Sequence, residues 1–288
     1  MKLFVTGGTG FIGSNFLNAA SAAGHELVAH RRAGSTPRVP LAQEPQWHET
    51  GLDQLSPGDF EGCEAVVHFA SVGVSPQVAT WDELLRGNVL VQNHLMTQAH
   101  SGGVRRFVLA GSFAEYGRSA DSHEFIPPTA PLLPTYGYAA AKACGFVSAH
   151  AMAVEQSLEL AYLRIFSAFG DGQFNANFWP ALKAAALSGQ DFPMTAGEQV
   201  RDYIPVEKVA QAFLAALASP ITPGMPVVAN VGSGKPTTML EFAQHWWLKW
   251  QATGQLRPGA VPYRRAEVMR FVPELGTKEA PRTEESRP

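Results

Sequence analysis

The sequence predicts an α/β protein, a doubly wound parallel sheet with a smaller C-terminal lobe, and three observations predict it. Strand-length apolar runs alternate with helical patterns over most of the chain, and such alternation builds a parallel sheet covered by helices on both faces. A glycine-rich turn, Thr6-Gly-Gly-Thr-Gly-Phe-Ile-Gly13, sits where the first strand hands over to the first helix. After Gly170 the texture changes to loops, aromatics and short elements, as expected of a smaller lobe that closes over the first.

Leu3-Phe4-Val5 reads as a buried parallel strand, since a strand covered on both faces is apolar at successive positions. The next helix runs from Phe11 to Ala23, with Phe11, Ile12, Phe16, Leu17 and Ala20 at helical spacing. Leu27-Val28-Ala29 is a second strand ending in His30-Arg31-Arg32, and the Pro-containing stretch from Ala33 to Pro45 is loop. Ala65 to Phe69 and Phe107 to Ala110 are further strands, separated by a helix from Trp81 to His100. An alanine-rich helix from Tyr138 to Gln156 precedes a strand from Leu160 to Phe166. Val209 to Leu217 and Val227 to Val231 form a helix and a strand expected to rejoin the main sheet. The implied division is a dinucleotide domain over 1–166, rejoined by about 204–231, and a substrate lobe from 167–203 and 232–288. The polar last residues, Thr277 to Pro288, are expected to fray.

Gly7, Gly10 and Gly13, with Phe11 and Ile12 between them, form a turn in which the backbone can approach a pyrophosphate. The anion then faces the unpaired N–H groups at the helix start, the Rossmann-type arrangement. A plain glycine turn between strand and helix is the competing reading. A site for NAD commonly carries Asp or Glu at the end of the second strand, to accept hydrogen bonds from the adenosine ribose. Arg31 stands there instead. A guanidinium cannot accept those bonds but pairs with a 2'-phosphate, so NADP is expected, with NAD the alternative. A solvated basic pair, Arg31 with Arg32, is the bland reading.

The 288 residues suffice to bury a core without disulfides or metal. Cys63 and Cys144 lie far apart, with no His/Cys cluster at ligand spacing, so no metal is expected and both are read as small buried residues. Lys plus Arg number 22 and Asp plus Glu 25, a formal net charge of -3 without long blocks of one sign. Nucleic acid is therefore not an expected partner. No apolar stretch approaches the ~20 residues that span a bilayer, and Met1 nearly abuts the first strand. No membrane association and a cytoplasmic location are expected.

The chain resembles the extended short-chain dehydrogenase/reductase family, in its branch of nucleotide-sugar epimerases, dehydratases and reductases. The likeness spans nearly the whole chain. It rests on the Thr6–Gly13 loop, Val66-Val67-His68-Phe69-Ala70, Asn88, Gly111-Ser112-Phe-Ala-Glu-Tyr116-Gly117 and Tyr138 with Lys142. It continues through Leu163-Arg164-Ile-Phe166, Gln199-Val-Arg201-Asp202-Tyr-Ile204 and Asn230-Val-Gly-Ser-Gly234. Tyr138 and Lys142 are one helical turn apart. A nearby ammonium lowers a phenol's pKa from its usual value of about 10, so Lys142 is expected to depress that of Tyr138. The resemblance implies that Tyr138 exchanges a proton with a sugar oxygen, Ser112 hydrogen-bonds that oxygen, and Lys142 also holds the nicotinamide ribose. It implies cofactor contacts at Phe69 and Ala70. Asn88 is read as either backbone-bonding or active-site.

The resemblance further implies that Asn177, Arg201 and Arg264 grip the diphosphate of a nucleotide-sugar substrate, as arginine's planar fork suits. The family often has asparagine where Ser167 follows Arg164-Ile-Phe166, and often an acidic residue where Gly51 stands, unless the match slips to Asp53. Dehydratases carry Asp-Glu after the catalytic hydroxyl residue, whereas Phe113-Ala114 follow Ser112. Arg31 and the two motifs 111–117 and 195–202 favour an NADPH-dependent reductase of a nucleotide-linked 4-keto-6-deoxy sugar, with a nucleotide-sugar 4-epimerase as the alternative. A nonenzymatic NADP sensor is the third reading. Relatives often form a homodimer through the Tyr138 helix.

Overall fold

In β1 (Lys2–Thr6) of the computed structural model, Leu3 and Val5 join one apolar cluster and Phe4 another, because successive side chains of a strand face opposite sides. The described residues are 1–264 and 267–275; Arg265 and the tail expected to fray from Thr277 lie outside them. Helix α1 (Phe11–Ala22), β2 (Glu26–His30), β3 (Gln46–His48), β4 (Ala65–His68), α2 (Trp81–Leu85), α3 (Val91–Ser101), β5 (Arg106–Ser112), α4 (Gly137–Glu155) and β6 (Glu159–Ile165) follow. Then come β7 (Ser167–Phe169), α5 (Phe178–Ser188), β8 (Phe192–Met194), β9 (Val200–Pro205), α6 (Val206–Ala218) and β10 (Val227–Val231). The described chain ends with β11 (Pro236–Thr238), α7 (Met239–Lys249), β12 (Leu256–Pro258) and β13 (Arg270–Phe271).

Seven parallel strands form one sheet in the order β10-β6-β5-β4-β1-β2-β3. Val67 and Val108 share the face of Leu3 and Val5, where Phe16 of α1 and Phe213 of α6 cover them. Val66, Phe107 and Leu109 share the face of Phe4, covered by Leu95 and Met96 of α3 and Ala149 and Ala153 of α4. Each such fully buried Phe or Leu side chain contributes roughly 1.5–3 kcal/mol. This is the expected Rossmann-type doubly wound sheet. One strand escapes the sequence reading: Gln46-Trp47-His48 has no apolar run and is recognisable only by its pairing with β2. A four-stranded sheet, β11-β9-β13 with β7 on β9, and the pair β12-β8 complete the structure.

From β1 the chain winds outward through β2 and β3, then returns to β4 on the other side of β1. The connections leaving β1 and β4 diverge there, which opens a crevice at the carboxyl ends of the strands where ligands bind in such sheets. One expectation about the cysteines is corrected. Cys63 is buried but Cys144 is exposed, because Ala141, Lys142, Ala143 and Gly145 occupy the inward side of α4 and residue 144 faces out. Among the described residues no helix is long and apolar enough to cross a membrane, and no group of His, Cys, Asp and Glu is placed to hold a metal.

Candidate active site

The glycine loop lies at that crevice, between β1 and α1. Gly7 adopts φ +70°, and a Cβ there would stand 2.6 Å from the Ala70 nitrogen. At Gly13 a Cβ would collide with the Gly7 carbonyl. The two side-chain-free positions let the loop pack against the end of β4 and let α1 start directly on the turn. Gly10 precedes α1 without a side-chain cap, and the first turn holds no acidic residue, so the helix presents unpaired N–H groups and its positive end. Phe11 and Ile12 begin that helix, half-buried. A pyrophosphate fits this set of donors.

The ends of β1 and β4 are tied together. Thr6 Oγ1 is 2.7 Å from His68 Nδ1, and the Phe69 N–H donates to the Thr6 carbonyl at 3.1 Å. Burial pushes the His68 pKa down to about 3, so the ring is neutral. The Phe69 ring turns into the core against Phe16 and Phe213, which leaves its backbone and that of Ala70 facing the loop. Beyond them Ser71 donates to Asn88 Oδ1 at 2.6 Å, and the Val72 N–H donates to the same oxygen at 3.1 Å. Asn88 Nδ2 donates to the carbonyls of Val72 and Leu84 at 2.9 Å. Asn88 sits in a π-turn, Arg86–Leu90, that joins α2 to α3. The backbone-bonding reading of Asn88 therefore holds: it fixes the loop that carries Ser71.

Ser112 ends β5, Tyr138 opens α4 and Lys142 stands one turn further along. The structure brings all three together, and adds Ser71. The hydroxyls of Ser71 and Ser112 lie near enough to the Tyr138 phenol to favour its ionised form, and Lys142 Nζ donates to the Ala110 carbonyl of β5 at 2.6 Å. The direction of the phenol's shift corrects the expectation. Burial, reinforced by Tyr136 and Glu115, pushes the Tyr138 pKa well above the ordinary tyrosine range, and the two serine hydroxyls only partly oppose it. Lys142 does not overcome this because its ammonium is turned toward Ala110 and is itself destabilised by burial.

Ser112 rests on a buried polar network. Its N–H donates to Glu115 at 2.8 Å, and Glu115 also accepts from Tyr162 Oη at 2.8 Å and from Arg164 Nε at 2.7 Å. Arg164 donates to the Pro128 carbonyl, and its guanidinium lies over the rings of Tyr116 and Phe146. Tyr116 in turn donates to Asn230 at 2.6 Å. Three separate stretches of the resemblance, 111–117, 163–166 and 230–234, thus meet in one cluster beneath Ser112.

The other expected residues lie further out. Arg201 on β9 is buried, and its Nη2 contacts Glu267 at 2.6 Å and donates to the Val268 carbonyl at 2.9 Å. Arg264 is exposed. Tyr136, stacked beside Tyr138 with ring centroids 6.3 Å apart, feels the charges of Arg264, Glu267 and Arg201. Asn177 caps α5 without a side-chain bond, and no hydrogen bond joins it to either arginine among the described residues. Arg31, just past β2, donates from Nε to Glu49 Oε1 at 2.7 Å and lies over the Trp47 ring, 4.8 Å from its centroid. Glu49 and Ser71 are the residues the sequence reading did not single out; both closely follow strands at the carboxyl edge of the sheet, which is the signal that could have found them.

A sequence model described as the NAD dependent epimerase/dehydratase family matches residues 3–232. UDP-glucose 4-epimerase of Corynebacterium glutamicum is 28% identical over 292 residues, covering 92% of this chain and 84% of that protein. The solved structure of MoeE5 in complex with UDP-glucuronic acid and NAD superposes with TM-score 0.82 at 26% identity, over 96% of this chain and 90% of that one. The UDP-glucose 4-epimerase of Thermus thermophilus, in complex with NAD, gives TM-score 0.80 at 25% identity, over 96% and 91%. The chain belongs to the NAD dependent epimerase/dehydratase family and is an enzyme of the extended short-chain dehydrogenase/reductase type.

Proposed function

We propose that the protein is an NAD-dependent nucleotide-sugar 4-epimerase. The observation that carries the reading is the buried Tyr138 phenol, near the hydroxyls of Ser71 and Ser112 and one helical turn from Lys142, on the helix that follows β5. Tyr138 takes the proton of the sugar C4 hydroxyl and later returns it to the C4 oxygen, while Ser112 orients that oxygen. Bound nicotinamide supplies the hydride acceptor, and afterwards the hydride donor, at C4. Lys142 holds the nicotinamide ribose, and Gly7, Gly10, Phe11, Ile12, Gly13 and the backbone of Phe69 and Ala70 cradle the dinucleotide. Asn177, Arg201 and Arg264 receive the substrate diphosphate, with Arg201 reaching it once Glu267 yields. The lobe of 167–203 and 232–275 closes over 1–166 in this reading. A homodimer through the outward face of α4, where Val147 and Val154 are exposed, completes it; sedimentation at twice the chain mass is the expected result.

Dehydration is disfavoured because the turn after Ser112 offers no free carboxyl group. Residues 113 and 114 are Phe and Ala, and the carboxylate of Glu115 is spent on Arg164. UDP-glucose 4-epimerases among the relatives support epimerisation. The second reading, an NADPH-dependent 4-keto-6-deoxy-sugar reductase, draws on Arg31 at the end of β2.

A panel of nucleotide hexoses separates the two. An epimerase interconverts the C4 isomers with no net change in reduced-nicotinamide absorbance, because the hydride returns to the sugar. Consumption of one NADPH for each keto sugar, with no isomer exchange, would replace the epimerase by the reductase.

A further inference from the structure

Arg31 and Glu49 extend the pairing of β2 with β3 by one position. His30 pairs with His48, and the Arg31 N–H donates to the His48 carbonyl at 2.9 Å. The side chains meet across that step. Nε and Nη2 of Arg31 both contact a single carboxylate oxygen, Glu49 Oε1, at 2.7 and 2.6 Å. The pair is half-exposed, with 29% of the Arg31 and 45% of the Glu49 side chain accessible, so it costs little desolvation and still responds to a ligand.

Its location gives the pair a role. The Arg31 guanidinium lies over Trp47, and Trp47 lies under the glycine loop, where a Cβ added to Gly8 would meet its ring at 3.6 Å. Arg31 is thereby fixed on the side of the sheet where the loop would hold a dinucleotide, at the strand end that faces an adenosine ribose. The second Glu49 oxygen, Oε2, has no hydrogen-bond partner among the described residues.

We infer that Glu49 selects the cofactor: its Oε2 accepts from the adenosine ribose hydroxyls, and its charge keeps a 2'-phosphate away from Arg31. The carboxylate missing at the end of β2 is supplied one strand further on. Arg31 then acts as its holder rather than as a phosphate receptor. A 2'-phosphate approaching Arg31 would have to displace Glu49 and lie beside a like charge, whereas a 2'-hydroxyl can donate to it. The inference rests on Gly7–Gly13 being the dinucleotide cradle.

Calorimetric titration of NAD and NADP into nucleotide-stripped protein tests it without relying on activity. Wild type should bind NAD more tightly than NADP. In Glu49→Gln, which keeps an acceptor and removes the charge, NADP should bind about tenfold more tightly, as expected for losing one nearby partly screened like charge. NAD affinity should move far less. Adding Arg31→Met to that variant should abolish the gain, because the freed guanidinium is what receives the phosphate. Thermal melts check folding, which the loss of a half-exposed pair should leave intact. A wild-type preference for NADP, or an unchanged NAD-to-NADP ratio in Glu49→Gln, overturns the role of Glu49 while leaving the cradle intact. Binding of neither nucleotide to wild type overturns the cradle, and the inference with it.

Discussion

Replacing Tyr138 by Phe is expected to cut turnover by roughly 10²–10⁴-fold, the usual worth of a positioned acid–base group, while NAD binding stays nearly unchanged. Only the phenolic oxygen is removed, and the ring keeps its place at the start of α4 beside Tyr136. The sign of the pKa shift adds a second readout. Burial holds the phenol protonated far into the alkaline range, so at neutral pH the resting group is a donor, and the base form is scarce. In the proposed epimerisation, oxidation of the sugar hydroxyl would need that base form. Wild-type turnover should therefore rise as pH is raised, until some other group limits it, and the residual rate of the Phe variant should lack that rise. A positive charge brought to the phenol by a bound oxidised nicotinamide would ease that deprotonation, so removal of the cofactor is expected to abolish turnover. A Phe variant that turns over at the wild-type rate would remove Tyr138 from the proton path.

The sheet was legible in the sequence because its strands are apolar on both faces: Leu3-Phe4-Val5 and Ala65-Val66-Val67 admit no other packing, and the helices between them carry the matching periodicity. The third strand was not, since the partly polar Gln46-Trp47-His48 becomes a strand only through its register with β2. Tyr138 and Lys142 were legible by their spacing and Ser112 only through the resemblance; the fold sets Ser112 at the end of β5 and Tyr138 at the start of α4. The direction of the phenol's shift was not legible, because burial is a property of the folded neighbourhood and outweighed the ammonium one turn away. Arg31 was legible as a basic residue at a strand end, but its partner Glu49 lies 18 positions away in sequence, so the charge that decides its chemistry was invisible. The same distance effect hid the use of Glu115, whose guanidinium partner is 49 positions further along.

That pair carries the largest expected effect on stability. Glu115 and Arg164 are almost fully shielded from water, with 0% and 1% of their side chains accessible, and their atoms meet at 2.7 Å. Glu115→Gln keeps the shape but leaves the guanidinium buried without a counter-charge, a loss of about 3–5 kcal/mol for breaking such a pair. Set against a typical total of about 5–15 kcal/mol, this threatens the fold and should lower the melting temperature by roughly ten degrees. Turnover should fall as well, since the Ser112 N–H donates to the same carboxylate and the hydroxyl beside Tyr138 is positioned through it. The decisive measurement is a double-mutant cycle in thermal unfolding. Removing both charges, Glu115→Gln with Arg164→Met, should cost clearly less than the sum of the single changes, because the penalty lies in the orphaned ion rather than in the lost attraction. Strict additivity, or a Glu115→Gln variant that melts with wild type, would show that the network stabilises Ser112 by packing alone.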